Sequence, residues 1–244
     1  MRAILSIDQG TTNTKAVLVS EAGTIIARAA CPLEVHYPRP AWVEQDATAL
    51  WASVREAVTD CLTQRPDADL TAVAVSNQRE SVVAWERSTG VPVGPCVTWQ
   101  CRRSAPLCDR LAEAGHAEAI HQRTGLQLDP GFSAGKARWL LDHTENGGKR
   151  ARDGDLCIGT VDSWVLWNLT GGAVHGCDVT NASRTQLLNL ETLAWDPELA
   201  SWFGVPTSAL PAIHPSSHVY WETAAVIPLP GGVPVAALIG DSHG

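Results

Sequence analysis

The sequence predicts an α/β protein built on a mixed sheet flanked by helices. Three observations lead to this prediction: short β-prone runs joined by tight turns open the chain, an amphipathic helical segment follows, and a strand that is apolar along its whole length comes next. Tight turns make neighbouring strands antiparallel, whereas a fully apolar strand lies inside a sheet with both faces covered. Sheet and helix then form packed layers around a core.

The predicted strands are short runs of apolar and β-branched residues. They cover residues 3–7, 15–19, 24–27, 70–76, 81–85, 96–99 and 234–239. A helix is expected from Asp46, a polar N-cap, to Leu62, because apolar side chains recur there every three or four residues. Further segments are helices over 102–114, 116–123, 133–143 and 162–169, an exposed loop at 146–149 and a turn at 240–244.

Composition excludes several classes of protein. With 244 residues, 45% hydrophobic and 18% charged, the chain can bury a substantial core and is not disordered. A net charge of −8 argues against non-specific nucleic-acid binding, and no apolar run approaches the roughly 20 residues that span a bilayer. Seven cysteines and no secretory signal indicate free thiols in a cytoplasmic protein. Cys96, Cys101 and Cys108, with His116, do not follow zinc-site spacing.

The turn between the first two strands reads Asp8-Gln9-Gly10-Thr11-Thr12-Asn13-Thr14-Lys15. Backbone N–H groups and hydroxyls in such a turn can donate to phosphate oxygens. Lys15 would add a positive charge, and Asp8 could hold Mg²⁺ directly or through water. The segment matches neither the Walker A loop nor the dinucleotide fingerprint, and an ordinary polar hairpin turn stays open as the alternative.

Polar side chains also follow three other predicted strands. Arg79 and Glu80 come after the apolar central strand and suit a polyhydroxyl ligand, because Arg donates hydrogen bonds and Glu accepts them from hydroxyls. Trp99 could stack on a sugar or polyol, and Asp241, after the last strand, could deprotonate an attacking hydroxyl. The alternatives are that Arg79 and Glu80 form only a local ion pair, that Trp99 packs in the core, and that Asp241 is an ordinary turn aspartate.

Together these stretches resemble one family, the FGGY carbohydrate kinases, and within it the glycerol kinase group. The matching segments occur in family order along the whole chain. They are Ile7-Asp8-Gln9-Gly10-Thr11-Thr12, Asn77-Gln78-Arg79-Glu80, Trp99-Gln100-Cys101-Arg102-Arg103, Gly159-Thr160-Val161-Asp162-Ser163-Trp164, Asp178-Val179-Thr180-Asn181-Ala182-Ser183-Arg184-Thr185 and Gly240-Asp241.

The resemblance implies an actin-like, ribonuclease-H-like fold of two domains and ATP-dependent phosphorylation of a small polyol or sugar. Residues 1–244 would form the N-terminal, substrate-side domain without the C-terminal, nucleotide-side domain, and alone they would fold but turn over ATP poorly. No nucleic-acid or membrane partner is implied, and a homo-oligomer is compatible with the sequence.

The resemblance also implies roles for individual residues. The residues on the ATP phosphates and Mg²⁺ would be Asp8, Gly10, Thr11, Thr12, Asn13 and Lys15. Those at the acceptor would be Arg79, Glu80, Trp99, Gly131, Asp241 and Ser242. Asp241 would be the general base, and Asp8 and Asp241 would be the candidates for contact with the metal.

Two positions depart from the glycerol kinase pattern. Gly131 stands where those kinases usually carry Tyr, and Ser242 where they usually carry Gln, and both positions normally contact glycerol. Loss of the ring opens space, so an acceptor larger than glycerol is expected, with a pocket refilled by Phe132 or by a residue of the missing domain as the alternative. A catalytically silent, sugar-binding regulator is a rival function, and an oxidoreductase would need a dinucleotide fingerprint that the sequence lacks.

Overall fold

The computed structural model of the chain describes residues 1–225 and 229–243. In chain order its strands are β1 Arg2–Gln9, β2 Asn13–Ser20, β3 Ile25–Pro32, β4 Glu44–Gln45, β5 Asp69–Asn77, β6 Val82–Glu86, β7 Cys96–Val97, β8 Leu156–Thr160, β9 Gly176–Asp178, β10 Leu188–Asn189, β11 Ala194–Trp195, β12 Ala212–His214, β13 Ser217–Glu222 and β14 Pro234–Gly240. Its α-helices are α1 Ala47–Thr63, α2 Ala105–Glu113, α3 Ala117–Thr124, α4 Ser133–Asp142, α5 Gly147–Arg152, α6 Val161–Leu169, α7 Val179–Ala182 and α8 Pro197–Phe203.

The larger sheet runs in the order β13-β14-β5-β1-β2-β3. Strands β1, β5 and β14 are parallel, whereas β2, β3 and β13 run antiparallel to their neighbours. The predicted antiparallel opening is confirmed, and so is the predicted central strand, because β5 lies between β14 and β1. Ser76 of β5 pairs with Asp8 on one side and with Ile239 on the other, which fixes the register of the three parallel strands.

One face of the larger sheet carries α1 and α6. Buried side chains of β1, β2, α1 and α6 join there in one core. The predicted N-cap of α1 is confirmed, since Asp46 Oδ1 accepts from the N–H groups of Thr48 at 2.7 Å and Ala49 at 3.0 Å. Trp164 of α6 donates from Nε1 to the carbonyl oxygen of Ala47 at 3.0 Å, which ties the two helices together.

A second core lies against the smaller sheet, whose strand order is β4-β7-β6-β8. Helices α4, α5 and α8 contribute buried side chains to it. Beside this core the guanidinium of Arg103 lies between two indole rings, 4.2 Å from Trp42 and 4.4 Å from Trp139. Arg103 Nη2 also donates to Glu44 Oε2 at 2.5 Å. These contacts fix the loop that leaves β7.

Three predicted segments differ from the structure. The exposed loop at 146–149 is wrong, because α5 begins at Gly147, which packs so tightly on α4 that a Cβ would collide with the carbonyl oxygen of Leu141. The helix predicted over 102–114 begins at Ala105, where Pro106 fits the first turn. The predicted final turn contains a 3-10 turn over Asp241–His243, and Gly244 lies outside the described residues.

The cysteines are free and buried. Burial raises the pKa of the Cys96 thiol to about 12, so this side chain stays protonated at neutral pH. Across residues 1–225 and 229–243 no group of three His, Cys, Asp or Glu side chains is arranged to hold a metal ion. No helix in the same part of the chain is long and apolar enough to cross a membrane.

Candidate active site

Three parallel strands, β1, β5 and β14, end together at one edge of the larger sheet. Their ends are level because Ser76 pairs with a residue of each neighbour. The carboxyl ends of parallel strands face the crevice in which open α/β sheets bind ligands. The hairpin of residues 8–15, the Arg79-Glu80 pair and Asp241 are thereby brought to the same edge.

Four charged side chains alternate in sign across this edge. Arg184 Nε donates to Glu80 Oε1 at 2.7 Å. Glu80 Oε1 lies 4.0 Å from Arg79 Nη1, and Arg79 Nε donates to Asp241 Oδ1 at 3.2 Å. We call these four residues the charge series. Because it joins three segments of the chain, it is more than the local ion pair that Arg79 and Glu80 would form alone.

The charge series is most exposed at Asp241. The side chain of Glu80 is 11% exposed, that of Arg79 20%, that of Arg184 29% and that of Asp241 45%. Arg79 Nη2 also donates to Ser242 Oγ at 3.0 Å, so both residues after β14 lie beside the same guanidinium. Neighbouring donors and acceptors of this kind match the hydroxyls of a polyol, each of which can donate and accept.

Glu80 has an unusual backbone conformation. Its φ is +62°, in the left-handed region that costs a residue with a Cβ about 1 kcal/mol or more. Its carbonyl oxygen accepts from Ser133 Oγ at 3.2 Å and from Lys136 Nζ at 3.1 Å. Two side chains of α4 therefore hold this residue in the conformation that presents its carboxylate to Arg184.

The hairpin of residues 8–15 is a tight turn with exposed polar side chains. Gly10 N–H donates to the carbonyl oxygen of Asn13 at 3.0 Å, and a Cβ on Gly10 would lie 3.1 Å from that oxygen. Lys15 Nζ lies 3.5 Å from Asp8 Oδ2, and their side chains are 55% and 40% exposed. A close backbone turn with an ammonium and a carboxylate fits phosphate oxygens and a hard divalent cation such as Mg²⁺.

Thr11 and Thr12 lie at the tip of this hairpin. Gln45 Nε2 donates to the carbonyl oxygen of Thr11 at 2.7 Å. The buried amide of Gln78 donates from Nε2 to Gln45 Oε1 at 3.0 Å and to Gln9 Oε1 at 3.1 Å. These amides, which sequence reasoning did not assign to the site, connect the hairpin with the end of β5.

Trp99 joins the hairpin to Ser81, the residue that follows Glu80. Its indole Nε1 donates to Thr11 Oγ1 at 2.9 Å, and its backbone N–H donates to Ser81 Oγ at 3.0 Å. The residue is 44% exposed, so the alternative of a core tryptophan is wrong. An exposed ring at this edge presents a flat apolar surface to a ligand.

Gly131 lies next to Trp99. A Cβ on Gly131 would lie 3.7 Å from the carbonyl oxygen of Trp99 and 2.9 Å from Asp129 Oδ1, which accepts from the Gly131 N–H at 2.7 Å. The adjacent Phe132 ring lies 4.9 Å from the guanidinium carbon of Arg184. Gly131 thus borders the same region as the charge series, and Phe132 is packed on one of its members.

A buried network positions the residue that precedes Asp241. Thr180 Oγ1 donates to Asp178 Oδ2 at 2.6 Å and accepts from the N–H of Gly240 at 2.9 Å. Asp178 is fully buried, and burial together with the negative charge of Asp178 raises the pKa of Asp162 to about 7. The resemblance included this segment without giving it a role. Its signal in the sequence is Asp178 itself, a residue type favoured at helix N-caps, and its carboxylate accepts from the N–H groups of Thr180 and Asn181 at the start of α7.

Comparison with known proteins agrees with this geometry. Residues 3–243 match the N-terminal domain of the FGGY family of carbohydrate kinases. The chain is 44% identical over 245 residues to a glycerol kinase of Rhodopirellula baltica and covers 45% of that protein. It is 47% identical over 242 residues to an apulose kinase of Pectobacterium atrosepticum and covers 49% of it. The matches take in 100% and 98% of this chain, which spans about half the length of these relatives.

Solved structures share the fold. The crystal structure of Plasmodium falciparum glycerol kinase with ADP aligns with a TM-score of 0.95 and 29% sequence identity, over 99% of this chain and 49% of that one. The mixed sheet with its packed helices is therefore the actin-like, ribonuclease-H-like fold of these kinases. With a family match along almost its whole length, the chain belongs to the FGGY family of carbohydrate kinases.

Proposed function

We propose that the protein transfers the γ-phosphoryl group of ATP to a hydroxyl of a small polyol or ketose. The observation that carries the proposal is the charge series, which ends in an exposed carboxylate at the same sheet edge as the hairpin of residues 8–15. This edge thus carries a region that can bind hydroxyls, a turn that can bind phosphates and a candidate base. Family membership and the kinase relatives support the same reaction.

The acceptor lies on the charge series in this proposal. Arg79 donates to one acceptor oxygen while Glu80 accepts from a neighbouring hydroxyl, and Trp99 covers an apolar face of the carbon chain. Asp241 accepts a hydrogen bond from the attacking hydroxyl and takes its proton as the new P–O bond forms. Arg79, 3.2 Å from Asp241, holds that carboxylate in place.

The hairpin holds the nucleotide's phosphates. The backbone N–H groups and hydroxyls of residues 10–13 donate to phosphate oxygens, and Lys15 adds a positive charge. Asp8 and Asp241 are the carboxylates that would hold Mg²⁺, which when bound neutralises the charge of the transferring group. Phosphoryl transfer depends mainly on positioning, so the rigid hydrogen bonds between hairpin and β5 contribute to catalysis by fixing the distance between the two substrates.

We also propose that the acceptor is larger than glycerol. Gly131, which lies next to Trp99, contributes no side chain to the acceptor site, and Ser242 has a shorter side chain than the Gln usual in glycerol kinases. The kinship with an apulose kinase, 47% identical, supports an acceptor other than glycerol, while the glycerol kinase relatives support the alternative.

The two-domain arrangement is a further part of the proposal. The chain spans about half the length of its relatives, and the hairpin's phosphate-facing side is exposed. We assign residues 1–244 to the substrate-side domain and the rest of the nucleotide site to a second domain. Residues 1–244 alone should fold and turn over ATP poorly, and robust kinase activity from them would contradict this division.

The test is a phosphorylation assay on the full-length protein. Formation of ADP is measured with glycerol, erythritol, xylulose and ribulose as acceptors, each with ATP and Mg²⁺ and each against a blank without acceptor. Acceptor-dependent ADP formation with kcat/KM highest for a four- or five-carbon acceptor is expected. A protein that binds an acceptor in a thermal-shift measurement but forms no ADP would instead be a sugar-binding regulator.

A further inference from the structure

A buried lysine lies behind the acceptor site. Lys136 of α4 is fully buried, and within residues 1–225 and 229–243 its ammonium forms no ion pair. Its Nζ instead donates to two backbone carbonyl oxygens, that of Glu80 at 3.1 Å and that of Gly131 through a short hydrogen bond. Both carbonyls belong to residues that border the acceptor.

Burying a lysine in this way lowers the stability of the folded protein. An ammonium loses its hydration when it is buried, and two carbonyl oxygens replace that hydration only in part. Burial accordingly lowers the pKa of Lys136 to about 7. A methionine of similar length would fill the same space in α4 without this cost, so packing alone does not explain a lysine here.

We propose that Lys136 is a positioning residue that sets the separation of Glu80 and Gly131 and thereby determines which acceptor fits. We call these three residues the acceptor wall. The inference rests on the proposed kinase function and deepens it, because it assigns a residue that does not touch the acceptor to acceptor selection.

The backbone conformation of Glu80 explains how Lys136 can influence acceptor binding without touching the acceptor. Its left-handed conformation is held by hydrogen bonds to its carbonyl from Lys136 and Ser133. Without Lys136 the peptide after Glu80 can relax toward an ordinary conformation, and the carboxylate then turns away from Arg184. The same change releases the carbonyl of Gly131, so both sides of the wall lose their fixed spacing.

The experiment compares Lys136→Met with Lys149→Met in the full-length protein. Lys149 is exposed and pairs with Asp153, the residue that follows α5, so its variant controls for loss of a lysine. KM is measured separately for the acceptor and for ATP, with glycerol and with the best five-carbon acceptor. We expect acceptor KM to rise roughly tenfold or more and the preference between the two acceptors to narrow, the scale expected when one pocket contact is lost.

The ATP KM should stay within about twofold, because the two carbonyls that Lys136 holds belong to Glu80 and Gly131, on the acceptor side of the site. A Lys136→Met protein with unchanged acceptor KM and unchanged preference would overturn the inference, and so would a parallel rise in both KM values. Ser133→Ala, which removes the other side-chain donor to the Glu80 carbonyl, should shift acceptor KM in the same direction by less. If Lys136→Met does not fold, the acceptor KM of Ser133→Ala tests the inference in its place, and an unchanged value would overturn it. A wild-type protein without acceptor-dependent activity would instead refute the proposed function itself.

Discussion

The hairpin and the acceptor wall are built in different ways. The hairpin is one continuous segment, its shape follows from a glycine turn, and its charged side chains Lys15 and Asp8 are 55% and 40% exposed. The acceptor wall joins Glu80 to Lys136 across 56 residues, with a buried ammonium and a left-handed backbone. A turn formed by one short segment suits the phosphates of ATP, which many kinases bind. Contacts between distant segments, as in the acceptor wall, can differ from one kinase to the next and so fit one particular acceptor.

Asp241 lies where the two regions meet, so its removal should have the largest effect. Asp241→Asn keeps the shape of the side chain and removes the base, and kcat should fall by roughly 10²-fold or more, with smaller changes in both KM values. Steady-state kinetics on the full-length protein measure this. Asp60→Asn, on the exposed side of α1, is the matched control. An unchanged kcat would show that Asp241 is not the base.

Gly131→Tyr tests whether the acceptor wall selects by size. The ring would fill space beside Trp99, and its hydroxyl could contact a three-carbon acceptor. The kcat/KM for glycerol divided by that for a five-carbon acceptor should rise roughly tenfold, which is a typical effect of one pocket contact on specificity. Glycerol preference in the wild type would contradict the proposed acceptor, as would a Tyr variant with the wild-type ratio.

The matched control is Gly131→Ala, because any Cβ here would lie 2.9 Å from Asp129 Oδ1. The Asp129 side chain is 43% exposed and can move by a few tenths of an ångström. Alanine therefore reports the effect of this crowding alone. A shift in acceptor preference that appears equally with alanine would come from displacement of Asp129 rather than from the tyrosine ring.

Gly10→Ala tests the hairpin separately from the acceptor wall. The new Cβ would lie 3.1 Å from the carbonyl oxygen of Asn13, so the turn must open slightly. We expect the KM for ATP to rise by roughly threefold to tenfold while acceptor KM is unchanged, since only the phosphate site is displaced. Gly148→Ala, where the Cβ meets Arg152 Nη1 at an ordinary 3.7 Å, is the control. A rise in acceptor KM instead would mean that the hairpin also shapes the acceptor site.

The same difference explains what could be predicted from the sequence. Strand ends and the hairpin depend on neighbouring residues, so Asp8, Arg79 and Asp241 could each be placed at the end of a strand in advance. Arg184 and Lys136 reach Glu80 from 104 and 56 residues away, and nothing local in their segments indicates a partner. Strand β8 was missed for a related reason, because all five of its residues are buried by packing from distant segments rather than by an alternating pattern.

The acceptor wall should also make the free energy of unfolding depend on pH, and this effect is smaller than the kinetic effects above. The pKa of Lys136 is about 7 in the folded protein against an ordinary 10.5. Between these values the unfolded chain binds a proton that the folded chain does not, so stability rises with pH, by at most ~1.4 kcal/mol per pH unit. Burial lowers the pKa of His175 to about 3, so that group acts below pH 7. Asp162, whose pKa burial raises to about 7, opposes Lys136 near pH 7, and the buried thiols, Cys96 among them, oppose it increasingly above pH 8 because they ionise more readily in the unfolded chain. The contribution of Lys136 is therefore isolated by comparing the wild type with Lys136→Met.

Thermal unfolding between pH 7 and 8.5 checks this. The Tm of the wild type minus that of Lys136→Met should increase by a few degrees over that range. The Tm of the wild type minus that of Lys149→Met should stay constant. Glu80 and Asp129 carry negative charge near the ammonium and limit the fall of its pKa, and the thiols of Cys96 and Cys101 lie near it as well. A Tm difference between the wild type and Lys136→Met that does not change with pH would show that Lys136 keeps its proton throughout, and the wall would then hold its two carbonyls by a permanent charge.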